Sequence, residues 1–148
     1  MTDDLFSGVW VGYYDYGPLY SEKYNGKKVD FFVNITLQDG ELNGISEEEV
    51  TKLYMEKPAI LTGFIEGRLI SFIKQYPYYY WLDEKDEIQI DRSRKHPAIH
   101  YTGTFDPATN TFIGDWEMEI ILERNIDGDR VRFFSGGWEL RKAQKAAD

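Results

Sequence analysis

The feature that most limits what this chain can fold into is a two-residue alternation that recurs between short turns. In KVDFFVNITLQDG, Val29, Phe31, Val33, Ile35 and Leu37 fall on one face; Asp30, Asn34, Thr36 and Gln38 fall on the other, with Phe32 the exception. In TFIGDWEMEIILE, Phe112, Gly114, Trp116, Met118, Ile120 and Leu122 share one face, opposite Asp115, Glu117 and Glu119. Successive side chains of a strand point to opposite faces, so each stretch reads as a strand with one side buried. Asp39-Gly40 follows the first, a dipeptide that favours a tight hairpin because both central residues accept positive φ. The chain then returns as ELNGISEE with Leu42, Gly44 and Ser46 in phase.

The same alternation predicts strands over 6–15, 28–38, 41–48, 58–66, 68–76, 97–106, 111–123 and 130–141. Most connections are short, among them Glu66-Gly67, PATN and NIDGD. Neighbours in sequence are therefore expected to be neighbours in space. An open meander of this size would leave two long unpaired edges. Closure removes them, and eight strands enclose an interior that side chains fill or that holds one small ligand. The expected class is all-β, a single eight-stranded antiparallel up-and-down β-barrel spanning 1–148 as one domain, with a short C-terminal tail, KAQKAAD. A β-sandwich is the competing arrangement. The glycines at 8, 12, 44, 63, 103, 114 and 136 favour the barrel, because they relieve crowding where strands bend sharply.

Two segments break the alternation. Asp15 to Lys27 is rich in Gly, Pro, Tyr and Asn and reads as a loop at a barrel mouth. Gln75 to Lys95 joins Tyr76, Tyr78, Tyr79, Tyr80 and Trp81 to a charged stretch. It is expected to extend its hairpin past the rim, with Glu87 to Ile90 as a short returning strand. Glu47 to Pro58 has room for a helical turn that Pro58 would close.

Composition narrows the function classes. Aromatic residues make up 16% of the 148, which suggests a core built on bulky rings. A net charge of −9 disfavours nucleic acid and anionic membranes as partners. The chain has no cysteine, which excludes disulfides, thiolate metal sites and a thiol nucleophile. That usage suits the cytoplasm. MTDDLFSG lacks a signal-peptide profile. No apolar run approaches the roughly 20 residues a spanning helix needs. No phosphate loop, dinucleotide fingerprint or Gly-x-Ser-x-Gly occurs, and no cofactor is expected. The acidic runs Glu47 to Glu49 and Asp83 to Asp91 read as solvated surface. His96 and His100, on a turn and a strand, would stand roughly 13 Å apart, too far to share a metal. Both are expected at the surface.

Gly8-Val9-Trp10 resembles the Gly-x-Trp of the calycins, the barrel group of lipocalins, fatty-acid-binding proteins and avidins. Lipocalins usually carry disulfides and a C-terminal helix, and fatty-acid-binding proteins insert two helices after the first strand; this chain has no cysteine, and Asp15 to Lys27 cannot supply the helices. The avidin pattern fits best: Asp39-Gly40-Glu41-Leu42-Asn43-Gly44, Tyr101-Thr102-Gly103-Thr104-Phe105 and Trp116 resemble it too. Positions that hold biotin in avidins correspond to Gly12, Ser46 and Glu48, of which only Ser46 keeps a small polar group. The avidin pocket tryptophans match Tyr101 and Trp116. The resemblance thus implies an aromatic-walled interior without biotin's hydrogen bonds. A nitric-oxide-binding haem barrel family is a weaker match; its histidine ligand could come only from His96 or His100.

Trp10 is expected to plug the closed end of the barrel, with Tyr14 two steps nearer the mouth. Phe31, Phe72, Tyr101, Phe112 and Trp116 read either as core or as the wall of an apolar cavity. Lys74 is in phase with Ile70 and Phe72. It either snorkels to water from a strand end or turns inward, where Glu48 or Glu41 would pair with it. The candidate ligand-binding set is Tyr14, Phe31, Ser46, Glu48, Phe72, Lys74, Tyr101 and Trp116, with no catalytic or metal-binding residue assigned. The leading reading is a non-enzymatic binder of a small apolar or aromatic ligand. One alternative is an isomerase or cyclase using Lys74, Glu48 and Tyr14. Another is an interaction module acting through the aromatic loop 76–81. A homodimer is expected to form through outward-facing Phe32, Ile121 and Phe133.

Overall fold

The computed structural model describes residues 6–16, 27–48, 57–82, 85, 87–123 and 125–143, with backbone alone at 82 and 121–123. Ten strands lie among the described residues: β1 (Gly8–Asp15), β2 (Lys28–Gln38), β3 (Glu41–Glu48), β4 (Ala59–Glu66), β5 (Leu69–Gln75), β6 (Tyr79–Leu82), β7 (Ile88–Asp91), β8 (Ile99–Asp106), β9 (Thr111–Glu123) and β10 (Arg130–Lys142). Eight of them close an antiparallel barrel in the order β1-β10-β9-β8-β5-β4-β3-β2. This is the architecture expected from the alternation and from the avidin resemblance. The strand bounds agree with the sequence reading to within two residues, and β2 alternates exposed and buried along its whole length. Asp39 and Gly40 take φ of 52° and 85°, as a primed hairpin turn requires. No helix among the described residues is long and apolar enough to cross a membrane. The helical turn considered after Glu48, most of the 15–27 loop and the tail from 144 lie outside the described residues.

The barrel has a closed end and a capped end. At the closed end Trp10 is buried and its indole N–H donates to the Phe6 carbonyl at 2.8 Å. The rings of Phe6, Trp10, Phe105 and Phe112 pack there, with Trp10 and Phe112 centroids 4.8 Å apart. Phe112 therefore belongs to the floor and not to the wall of a pocket. The Ser7 hydroxyl accepts from the Leu37 amide at 2.9 Å, which ties the segment before β1 to the end of β2.

At the other end β6 and β7 pair only with each other, through Tyr79↔Asp91, Tyr80↔Ile90, Trp81↔Gln89 and Leu82↔Ile88. The expected returning strand is present, but it forms a separate hairpin and does not prolong the barrel wall. Tyr78, Tyr80 and Ile90 pack against the core, so this hairpin lies over the barrel end as a cap.

Gly12 and Gly114 show why glycine recurs in the wall. A Cβ at Gly12 would overlap the Glu139 carbonyl of β10, and one at Gly114 the Thr102 carbonyl of β8. The strands coil so tightly at these points that no side chain fits between them. Gly12→Ala is expected to lower stability by about 2–3 kcal/mol through overpacking. Urea unfolding should show a lower midpoint with an unchanged slope.

Candidate functional site

The alternation carries one inward residue from each of several strands to the capped end. Tyr14 is the last inward residue of β1 and Phe31 lies near the start of β2. Ser46 and Glu48 are the last inward pair of β3, and Lys74 is the last inward residue of β5. Tyr101 and Trp116 come from β8 and β9, paired Cα to Cα. All eight candidate residues are at most 5% exposed.

Glu48 is the hub. One carboxylate oxygen accepts from Lys74 Nζ at 2.8 Å. The other accepts from the Tyr14 hydroxyl at 3.1 Å and from the Tyr76 hydroxyl. Lys74 also donates to the Tyr101 hydroxyl at 3.4 Å. The ammonium sits 4.7–5.6 Å from the ring centroids of Tyr14, Phe31, Tyr76 and Tyr101. Such faces attract a cation electrostatically. Lys74 is completely buried, so the snorkelling alternative is overturned and the inward pair with Glu48 is what forms. Tyr76 is itself buried and bonded to Glu48 from one step beyond β5. Glu41 is exposed and takes no part.

The remaining candidates connect to this cluster through rings. Phe72 stacks on Tyr101 at 4.8 Å and 11°, Tyr14 meets Phe31 at 5.4 Å, and Trp116 meets Tyr14 at 6.5 Å. Trp116 is fixed by its indole N–H, which donates to the Asp15 carbonyl at 2.9 Å. Seven of the eight candidates thus form one contact network. Ser46 differs: its hydroxyl is buried and has no hydrogen-bond partner among the described residues. It stands in a wall of small inward residues, with Ala59 opposite it on β4 and Gly44 before it on β3.

Burial dominates the electrostatics. It pushes the Lys74 ammonium below its ordinary value, and the Glu48 charge and hydrogen bond offset part of that. Burial, and after it the Glu48 charge, raises the phenols of Tyr14, Tyr76 and Tyr101 well above the usual tyrosine value. All three stay protonated; Tyr14 and Tyr76 donate to the carboxylate, and the Tyr101 hydroxyl accepts from the ammonium.

Two residues differ from the sequence expectation. Tyr76, which falls both at the end of the expected strand 68–76 and in the aromatic loop 76–81, is buried and bonded to Glu48. His96 was expected at the surface but is buried, because the cap folds over it. Its ring stacks on Tyr80 at 4.8 Å and meets Tyr76 and Tyr79. Its Nδ1 donates to the Pro97 carbonyl at 2.8 Å, and Gln75 Nε2 donates to the His96 carbonyl at 2.6 Å. His100 is exposed, as expected. Within the loop 76–81, Tyr76 turns inward and Trp81, 40% exposed, carries the most open ring. Outside the barrel an open groove of about 790 Å³ runs past Gln75, Arg94, His100, Glu117 and Phe133, and none of the eight candidates lines it.

Burial holds His96 down to about 4, with the nearby Lys74 charge adding to the shift and the Pro97 carbonyl and Glu48 opposing it. The unfolded chain, with a histidine near its ordinary 6.5, binds a proton that the folded one refuses. Stability should therefore fall as pH drops from 6.5 to about 4, by on the order of 3 kcal/mol. His96→Asn should remove this component. Urea midpoints of the two proteins across that pH window would check it.

No family model matches the chain, and no curated protein matches it. Among solved structures, the chain is similar to the crystal structure of rhizavidin, with 13% identity over 93% of this chain and 87% of that one and a TM-score of 0.45.

Proposed function

We propose that the protein is a non-enzymatic binding barrel for a small molecule with an aromatic or apolar body and one polar end. The observation that carries this reading is the Ser46 hydroxyl, buried one inward step from Glu48 on β3 and without a hydrogen-bond partner among the described residues. A buried hydroxyl left without a partner costs about 1–3 kcal/mol, which a ligand's polar group would recover. The apolar body would lie among Phe31, Phe72, Tyr101 and Trp116. Tyr76 is the side chain a ligand would displace. It comes from the segment joining β5 to the cap, and its hydroxyl bond to Glu48 is one that a ligand's own donor can replace. Biotin does not fit, since Gly12 offers no side chain and Glu48 is committed to three donors.

The test is a thermal-shift screen of small aromatic alcohols, amides and ketones, followed by native mass spectrometry of each hit. A ligand held one to one, whose affinity falls tenfold or so in Ser46→Val as a lost buried hydrogen bond should, supports the reading. No hit, together with an unliganded mass for protein freshly purified from cells, would sink it.

A second copy of the chain is the partner proposed for the outer surface. Ile60 and Phe64 of β4, Leu69 and Ile73 of β5 and Ile113 of β9 are all 36–53% exposed, with β8 lying between β5 and β9. Between them stand Thr62, Ser71, Thr102 and Thr104. Two chains of net charge −9 meet at lower electrostatic cost on this face, where Glu41 and Asp115 stand at the margin, than on the more acidic remainder. Phe32 and Phe133 are exposed as expected but lie away from it, and the side chain of Ile121 is outside the described residues. Light scattering should give a dimer mass for the protein and a monomer mass for Ile73→Glu; a monomer throughout removes the pairing.

A further inference from the structure

Lys74 has a property that non-covalent binding does not use: it is a primary amine, sealed from water, with a base in contact. We propose that Lys74 captures a small aldehyde or ketone as an imine inside the barrel; this rests on the binding reading above and names its ligand class. Four observations converge on it. The Lys74 nitrogen lies 2.8 Å from a carboxylate oxygen that can take its proton. Lys57 and Lys95, by contrast, are exposed on the surface, away from this carboxylate. Four aromatic rings surround the nitrogen, and they would stabilise a positive iminium as they do the ammonium. Leu61 of β4 pairs with Lys74 on one side and Gly44 on the other; Ser46 and Ala59 lie one inward step nearer the capped end, and the Ser46 hydroxyl, without a hydrogen-bond partner among the described residues, is available to the oxygen of the intermediate.

The atoms balance without any further reactant. The Lys74 ammonium passes one proton to the Glu48 carboxylate. The nitrogen lone pair then forms a bond to the carbonyl carbon while the C=O π pair moves to oxygen, and a proton shifts from nitrogen to that oxygen. The resulting carbinolamine takes the proton held by Glu48 onto its hydroxyl. The C–O bond breaks, water leaves, and the nitrogen lone pair closes the C=N bond. One ammonium and one carbonyl become one iminium and one water, with Glu48 returned to its carboxylate. A site closed to bulk water favours that loss of water and slows its reversal. Phenols of Tyr14 and Tyr101, held protonated by burial, can hydrogen-bond to Glu48 and to the nitrogen throughout.

The experiment uses the whole protein with benzaldehyde and sodium cyanoborohydride near pH 6.5, where the reductant fixes any imine as a benzylamine. Peptide mapping by mass spectrometry then gives the labelling rate at each lysine. Lys74 is expected to react about tenfold or more faster than Lys57 and Lys95, because the Glu48 carboxylate 2.8 Å from its nitrogen takes the proton. Tyr76→Phe, which frees one bond of the cap, should raise the Lys74 rate and leave the exposed lysines unchanged. Labelling confined to exposed lysines in both proteins would overturn the proposal. If Lys74 stays unlabelled while native mass spectra show a non-covalent ligand, imine capture fails and the binding barrel stands.

Discussion

Glu48→Leu should destabilise the protein by about 3–5 kcal/mol, because it strands a buried ammonium without its counter-charge. Lys74 is fully buried and has Glu48 as its carboxylate partner, so no water can take over. The phenols of Tyr14 and Tyr76 would lose their acceptor at the same time. Replacing both members, as in Lys74→Met with Glu48→Leu, should recover most of the loss, since a buried pair is worth little more than packed apolar side chains. Urea denaturation of the two single variants and the double variant forms a thermodynamic cycle. A coupling energy of several kcal/mol is expected. Single variants that lose less than about 1 kcal/mol would mean that the pair behaves as an exposed one. The cycle separates what the pair contributes to the fold from what it offers a ligand.

Trp10→Ala is expected to cost about 3–5 kcal/mol, the range for deleting a large buried ring. The ring closes the barrel floor against Phe112 and Phe105, and its N–H satisfies the Phe6 carbonyl. Its loss opens a cavity that three phenylalanines border and leaves a backbone acceptor unpaired. Trp81→Ala provides the contrast, since a half-exposed ring on the cap should shift stability by only about 0.5 kcal/mol. Comparing the two by thermal unfolding distinguishes a floor plug from a surface aromatic of the same type.

The barrel was legible in the sequence because period-two alternation is a local property. Each of the eight wall strands repeats it, and the turn residues between them set the order. The inward direction of Lys74 was also readable, from its phase with Ile70 and Phe72. What the pattern could not decide was whether water reaches the end of β5. That depends on where residues 76–96 lie, and no periodicity links that segment to the barrel. Tyr76 was within reach all the same: it is the next residue in phase after Lys74, one step beyond the strand. Reading it as part of an aromatic cluster hid its position on the inner face. The burial of His96 had no comparable local signal, because Tyr76, Tyr79 and Tyr80 cover it only after the cap hairpin has folded back. The outer apolar face has no local signal for a related reason. Ile60, Phe64, Leu69, Ile73 and Ile113 are scattered singly along three strands, and only the cross-strand register gathers them.

Closure of the wall sets a timetable for folding. β1 pairs on one side with β2, its neighbour in sequence, and on the other with β10, through Trp10↔Lys142 to Tyr14↔Trp138. As the chain leaves the ribosome, the first strand can form its hairpin early but must wait for nearly the whole polypeptide before its second partner exists. Contacts of such long sequence separation slow folding. During that interval one side of β1 and the growing face of the sheet remain open to association with other chains. The last thirteen residues of the wall, β10, end this exposure. Chains arrested before Arg130 should therefore accumulate as aggregates, whereas those released after Lys142 should fold.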